Sequence, residues 1–309
     1  MRGIVVAGVA VCLAVGCVSP RFIANNMTGS VKDMREAFYA ERSPQHAYAA
    51  APGMLMQLDG FLVSSPDNVD LLYRAAELNC SFAMTFLDTR DRVWAADEYL
   101  KGREYALHGL TLLAPELGAA IRAGDAEAVK AEAGKVGLKE LPLLFFTGLC
   151  WGGYINATMD AGNAAELPVV EALMHRVMEL DETFYFGAVH VFFGVLNAGR
   201  SELLGGNLEK GRGHFEKALE ITGGKLLPVK VRFAQSYAVQ KQDPELFVRL
   251  LTEVLEDDTP PQREWIVGNA AARVDAAALL EKISDLFMGY APGGSGPGPE
   301  EEAEDLDLD

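Results

Sequence analysis

The sequence predicts an all-α protein, built as a helical-repeat solenoid of antiparallel helix pairs. Three observations predict it. Apolar residues recur at three- and four-residue spacing along almost the whole body of the chain, the period of a helix with one buried face. Alternating β-branched runs are scarce, and nothing resembles a strand–helix–strand unit. One segment, Gly206 to Ile221, carries a turn glycine, two small residues and an aromatic at the spacing of a helix packed closely on an antiparallel partner.

The elements follow in order from their breaks. Helices are expected at 30–42 and 45–63, divided by Ser43-Pro44. The turn Ser65-Pro66-Asp67-Asn68 opens the next, 68–88, with Asp67 or Asn68 as its cap. Then come 91–113, stopped at Ala114-Pro115, and two short helices, 115–123 and 125–136. The spacing continues through 140–161, 167–180, 184–204 and 207–222, the last closed by Gly223-Gly224. The final three are 226–240, 243–257 and 262–289, with Asp243 capping the second and Pro244 at its first position.

The two ends differ from the body. Arg2 precedes an apolar run from Gly3 to Val15, which fits a secretory signal and is too short to span a bilayer. The run ends Leu13-Ala14-Val15-Gly16-Cys17, which looks like a bacterial lipobox. Residues 1–16 are therefore expected to be a lipoprotein signal peptide. Cys17 would carry the lipid, and 17–29 would form a lipidated linker. Each buried lipid CH₂ is worth roughly 0.8 kcal/mol, so several acyl chains on one residue hold a protein firmly. Val18 follows the cysteine, which in enteric-type sorting favours the outer membrane. The helical domain is expected over 30–290. Residues 291–309, rich in Gly and Pro and then acidic with seven carboxylates, are expected to be a disordered tail.

Composition bounds the function. The chain has 309 residues, half of them apolar, and a net charge of −17. That is enough apolar material for a large core. The acidity argues against nucleic acid or an anionic membrane surface as partner, since both require clustered Lys and Arg. Seven of the negative charges lie in the tail, and Arg2 leaves with the signal, so residues 17–290 still hold −11.

Catalytic constellations are poor. The histidines, His46, His108, His175, His190 and His214, make no HExxH, and Glu171 with His175 reads as an ordinary helical surface pair. No Gly-x-Ser-x-Gly appears. No metal or other cofactor is expected, and the protein reads as a binder and not an enzyme. Cys80 and Cys150 either pair in an oxidising compartment or pack as two small apolar thiols. The aromatic residues are the most informative. Phe145, Phe146, Phe192 and Phe193 are expected in the core. Trp151, Tyr154, Asn156, Tyr185, Phe186 and His190 are expected to line a concave groove, where rigid rings with polar tips suit ligand or peptide binding.

Gly206 to Ile221 resembles the second helix of a tetratricopeptide (TPR) repeat. Gly206 stands at the turn, Gly211 and Ala218 at the small positions and Phe215 at the aromatic, while Gly223 takes the place of the usual proline. The wider chain is similar to the TatT lipoproteins of tripartite ATP-independent periplasmic (TRAP) transporters. The segments that carry this are Ser65-Pro66-Asp67-Asn68 with Leu71-Leu72 and Phe82-Ala83; ADEYLKGREY from Ala96 to Tyr105; Phe186-Gly187-Ala188 with Phe193-Gly194; GGNLEKGRGHFEKAL from Gly205 to Leu219; and Leu246-Phe247 with Leu250-Leu251 and Val254-Leu255. Arg200-Ser201-Glu202 departs from the pattern by lacking a proline. The resemblance implies a TPR-like periplasmic lipoprotein that docks the transporter's solute-binding protein and assembles as a homotrimer. It also implies a groove or pore for a hydrophobic or organic-acid ligand. The rival expectation is a generic TPR-like scaffold lipoprotein in envelope assembly, because fold alone does not fix function.

Overall fold

The computed structural model describes residues 19–200 and 205–287. Cys17, the signal and the acidic tail lie outside these residues. Within them the chain is all-α, with helices and turns and no strand.

The helix starts are set by local chemistry. α1 (Pro20–Asn26) is capped by Ser19, whose hydroxyl accepts from the Phe22 amide. It occupies the segment expected as a linker, and α2 (Thr28–Tyr39) begins directly after it. Ala24 buries into the main core, which is why this segment is helical. Ser43 caps α3 (Pro44–Ser64), Asn68 caps α4 (Val69–Phe82) and Asp91 caps α5 (Arg92–Leu113), each accepting from a backbone N–H in the first turn. Between Asp67 and Asn68, Asn68 is the residue that caps.

α6 (Pro115–Ala123) ends on Gly124 in the left-handed conformation, and Asp125 caps α7 (Ala126–Ala133). α8 (Leu141–Thr158), the short α9 (Ala161–Ala164), α10 (Leu167–Asp181) and α11 (Phe184–Gly199) follow. α12 (Leu208–Thr222), α13 (Leu227–Phe233) and α14 (Val239–Lys241) come next. α15 (Pro244–Glu256) has Asp243 as its cap and Pro244 in its first turn, as expected. The expected helix 262–289 is broken: a 3₁₀ turn at Arg263–Trp265 leads into α16 (Ile266–Glu281), and α17 (Ile283–Leu286) restarts after Lys282.

Successive long helices pack side by side: α4 on α5, α5 on α8, α8 on α10 and α11 on α12. In the α11–α12 pair the small and aromatic residues singled out in the sequence lie at the packed face. Phe215 and Ala218 are fully buried. Gly211 lies where a Cβ would meet the Ala198 amide at 3.0 Å, so the small residue lets the backbones approach. Gly206 is tighter still, because a Cβ there would stand 2.0 Å from the Arg200 carbonyl oxygen.

The buried side chains form two apolar cores. One runs from Ala24 to Phe193 and recruits Val267 and Ala271; the other is built from Ala198, Phe215 and the residues of α13 to α17. Cys80 and Cys150 are free thiols in the first core, in contact with each other, and burial pushes the Cys80 thiol well up.

Three local distortions occur near the seam between the cores. Ala83–Leu87 continues α4 as a π-helical turn, and Ala234–Ala238 does the same after α13. Helix 184–204 was expected to be continuous. Instead Tyr185, Phe186 and Gly187 adopt left-handed backbone at φ 49°, 62° and 74°. Bulky side chains there cost about 1–2 kcal/mol each. The turn persists because both rings find partners: Tyr185 lies 5.2 Å from Phe146, and Phe186 stands edge-on to Trp265 at 5.4 Å.

Candidate ligand cavity

A cavity of about 390 Å³ opens along that seam. Most of its wall is apolar, including Leu149, Phe192, Val195, Leu226 and Val267. All three distorted segments contribute to it: Met84 and Thr85 from the first π turn, Gln235 from the second, Tyr185 and Phe186 from the left-handed turn. π turns recur at functional sites because they redirect side chains within a helix.

Its polar wall has two clusters. In the first, Tyr39, Ser81 and Tyr185 join hydroxyl to hydroxyl, with Tyr39 and Ser81 at 2.9 Å, Tyr39 and Tyr185 at 2.9 Å, and Ser81 and Tyr185 at 3.2 Å. Burial raises the pKa of both tyrosines, so both remain hydroxyl donors at neutral pH. Arg35 stacks over the Tyr39 ring at 4.6 Å and donates to Glu77 at 2.7 Å. Glu77 has no solvent exposure and also accepts from Arg74 at 3.3 Å. Burial works against the Arg35 charge, but the hydrogen bond and charge of Glu77 outweigh it and hold the guanidinium protonated.

In the second cluster, Arg232 of α13, two residues before the second π turn, reaches the first, donating to the Met84 carbonyl at 3.1 Å and to the Asp88 carboxylate. Tyr99 donates to the same Asp88 at 3.0 Å. Burial raises the pKa of Asp275, which lines the cavity nearby. Among the described residues, no group of three or more His, Cys, Asp and Glu side chains is placed to hold a metal ion.

Of the expected groove residues, the structure brings Tyr185, Phe186 and Asn156 to the cavity wall. It places Trp151, Tyr154 and His190 elsewhere. Trp151 is buried; its Nε1 donates to Glu166 at 2.6 Å and its ring lies under Arg103. Tyr154 shares that arginine. The reason is helical phase: Leu149, Gly152, Gly153 and Asn156 turn to the cavity, while residues 151 and 154 turn away from it. His190 is buried between α11 and α12, with its Nδ1 at 3.0 Å from His214 Nδ1 and its Nε2 at 3.4 Å from Glu182. Burial lowers the pKa of both histidines. Phe145, Phe146 and Phe193 are core residues as expected, but Phe192 is half-buried against the cavity.

Sequence reasoning missed Arg35, Tyr39, Ser81, Asp88, Arg232 and Trp265. A signal was present for the first cluster. Glu77 interrupts the run Ala75-Ala76-Glu77-Leu78, and a charge inside a buried helix requires a partner.

The site is an apolar cavity with a few convergent polar groups in an all-α fold, its wall shared between two cores. A family model described as the TRAP transporter T-component matches residues 40–287, well over half of the chain. The chain belongs to that family, and so to the components of TRAP transporters. No curated protein matches it. Among the described residues, no helix is long and apolar enough to cross a membrane.

Proposed function

We propose that this T-component is a periplasmic accessory held to the outer membrane by a lipid on Cys17. It docks the transporter's solute-binding protein and holds a small, largely apolar ligand, with hydrophobic or organic-acid character, in the seam cavity. Tyr185, Phe186 and Asn156 contact that ligand, together with Arg35, Tyr39 and Ser81. The protein does no chemistry on it, and a homotrimer is the assembled form.

The observation that carries the ligand reading is the wall itself. A volume of about 390 Å³ suits a small organic molecule, and sites of that kind run from about 300 to 1,000 Å³. Apolar side chains supply affinity, while the hydroxyl triad and Arg35 orient one polar end. The left-handed turn supports this reading, because backbone strain of that kind clusters at ligand sites. Anchoring the protein near the membrane confines it with its partner in a thin layer, which raises the effective concentration for a weak contact.

Two measurements test this. Mass spectrometry of organic extracts from protein purified in its native envelope should find a bound amphiphile, and the emptied protein should rebind it. Gentle solubilisation should recover the solute-binding protein with this chain. An empty cavity that takes up no amphiphile defeats the ligand reading, and failure to recover the solute-binding protein defeats the docking reading.

A further inference from the structure

The exposed large apolar side chains are unevenly placed. Val93, Leu112, Leu138, Met159, Leu255 and Val274 lie on other elements, none of them near the N-terminus of the described chain in sequence. The other four fall on two touching helices: Phe22 (60% exposed) and Ile23 (49%) on α1, Met56 (72%) and Val63 (84%) on α3. Hydrogen bonds from Ser65 and Asn68 to the Asn25 side chain fix α1 against the end of α3.

The charge on this end is also unlike the rest. Between Pro44 and Ser64 the one acidic or basic residue besides His46 is Asp59. Its carboxylate is held by Lys101 at 2.5 Å and Tyr105 at 2.7 Å. The outer face of α3 therefore presents Gln45, Ala49, Gly53, Met56, Gln57, Gly60 and Val63, and a Cβ at Gly53 or Gly60 would meet nothing within 4 Å. Residues 17–64 carry four carboxylates against four Lys and Arg, whereas 65–290 hold a net −11. An acidic body is repelled by an anionic leaflet, and this neutral end is not.

The position of this patch selects its occupant. Two peptide units separate Cys17 from Ser19, a reach of at most about 7 Å. Phe22 is in the first turn of α1, so it sits within about 12 Å of Cys17. We infer that the exposed apolar face of α1 and α3 is a membrane-docking surface. Phe22, Ile23, Met56 and Val63 enter the headgroup region beside the lipid and turn a flexible tether into a fixed orientation. The inference rests on Cys17 being the lipidated residue. The contact is apolar and so insensitive to salt, unlike a polybasic one.

The test uses the lipidated full chain in vesicles of phosphatidylethanolamine and phosphatidylglycerol. An environment-sensitive fluorophore is attached in separate variants, Ile23→Cys, Val63→Cys, and the controls Leu138→Cys and Leu255→Cys. Cys80 and Cys150 are buried and do not compete for label. All four sites are exposed, so melting curves should match the parent protein. The expected result is a blue shift at 23 and 63, quenching there by lipids brominated near the headgroup, and neither effect at 138 and 255, at low and high salt alike. If the protein floats with vesicles while 23 and 63 report water as the controls do, docking is wrong and the anchor stands. If intact mass shows no acyl group and the protein does not float, the anchor reading falls and docking falls with it. If 23 and 63 are shielded before vesicles are added, with native mass at a multiple of the chain and no lipid quenching, the face belongs to a second copy and the inference is overturned.

Discussion

Tyr39 and Tyr185 lie 146 positions apart in the chain and meet hydroxyl to hydroxyl at 2.9 Å. The contact exists because α11 reverses its backbone hand at Tyr185, which carries that side chain to the end of α2. One bond thus joins a residue in left-handed backbone to the polar end of the cavity.

Removing that hydroxyl separates stability from binding. Tyr185→Phe keeps the ring contacts with Phe145 and Phe146 but loses the bonds to Tyr39 and Ser81. Denaturant unfolding should show a loss of about 1 kcal/mol, the usual worth of a hydrogen bond. Affinity for the extracted ligand should fall at the same time by several-fold or more. A variant that unfolds more easily yet binds as tightly as the parent confines Tyr185 to a structural role.

Glu77 is the residue on which the first polar cluster depends. It accepts from both Arg35 and Arg74 and has no exposure to water. Glu77→Ala removes the carboxylate that Arg35 pairs with at this buried site and leaves Arg74 only Asp70, at 3.8 Å. The expected cost is about 3–5 kcal/mol in urea unfolding. Glu77→Gln keeps the shape and one acceptor, so its cost should be smaller.

The packed pair of His190, buried, and His214, half-buried, gives stability a pH dependence. Burial lowers the pKa of His190 and His214 in the folded state, so the unfolded chain binds protons more readily than the folded one. Their contribution is complete above the unfolded value of 6.5 and is lost as pH falls below it toward the folded values. Glu182 partly opposes this at His190, and Lys217 adds to it. The melting temperature should therefore fall between about pH 7 and pH 5, and the His214→Gln variant should show a shallower slope over that window.

Much of the fold was legible because helix starts are local. Asn68 and Asp243 cap their helices through bonds to amides three residues on, and any reader of the sequence can see that chemistry. The cavity was less legible because its wall is assembled from distant segments and from breaks in periodicity. A regular period predicted straight helix through Tyr185 and Phe186, where the chain is left-handed. In α8 the aromatic residues Trp151 and Tyr154 drew attention, yet the neighbouring glycines face the cavity. At Gly152 and Gly153 a Cβ would stand 2.6 Å from the Phe192 ring and 2.4 Å from the Tyr99 ring. The informative residues there were the ones without side chains, because they make room for rings from other helices.

Gly153 accordingly makes a sharp test of how the cavity and the second polar cluster are joined. A methyl group at this position collides with Tyr99, a buried ring that has little freedom to withdraw. Tyr99 donates to Asp88, and Asp88 holds Arg232 across the seam between the two cores. Gly153→Ala should therefore cost about 1–3 kcal/mol by overpacking. The displaced ring should also weaken the Asp88–Arg232 contact. Hydrogen exchange should report this as faster opening of the π turns at 83–87 and 234–238 than of α4 and α15. Equal acceleration across all four segments indicates that the two cores open together and that Tyr99 does not govern the seam.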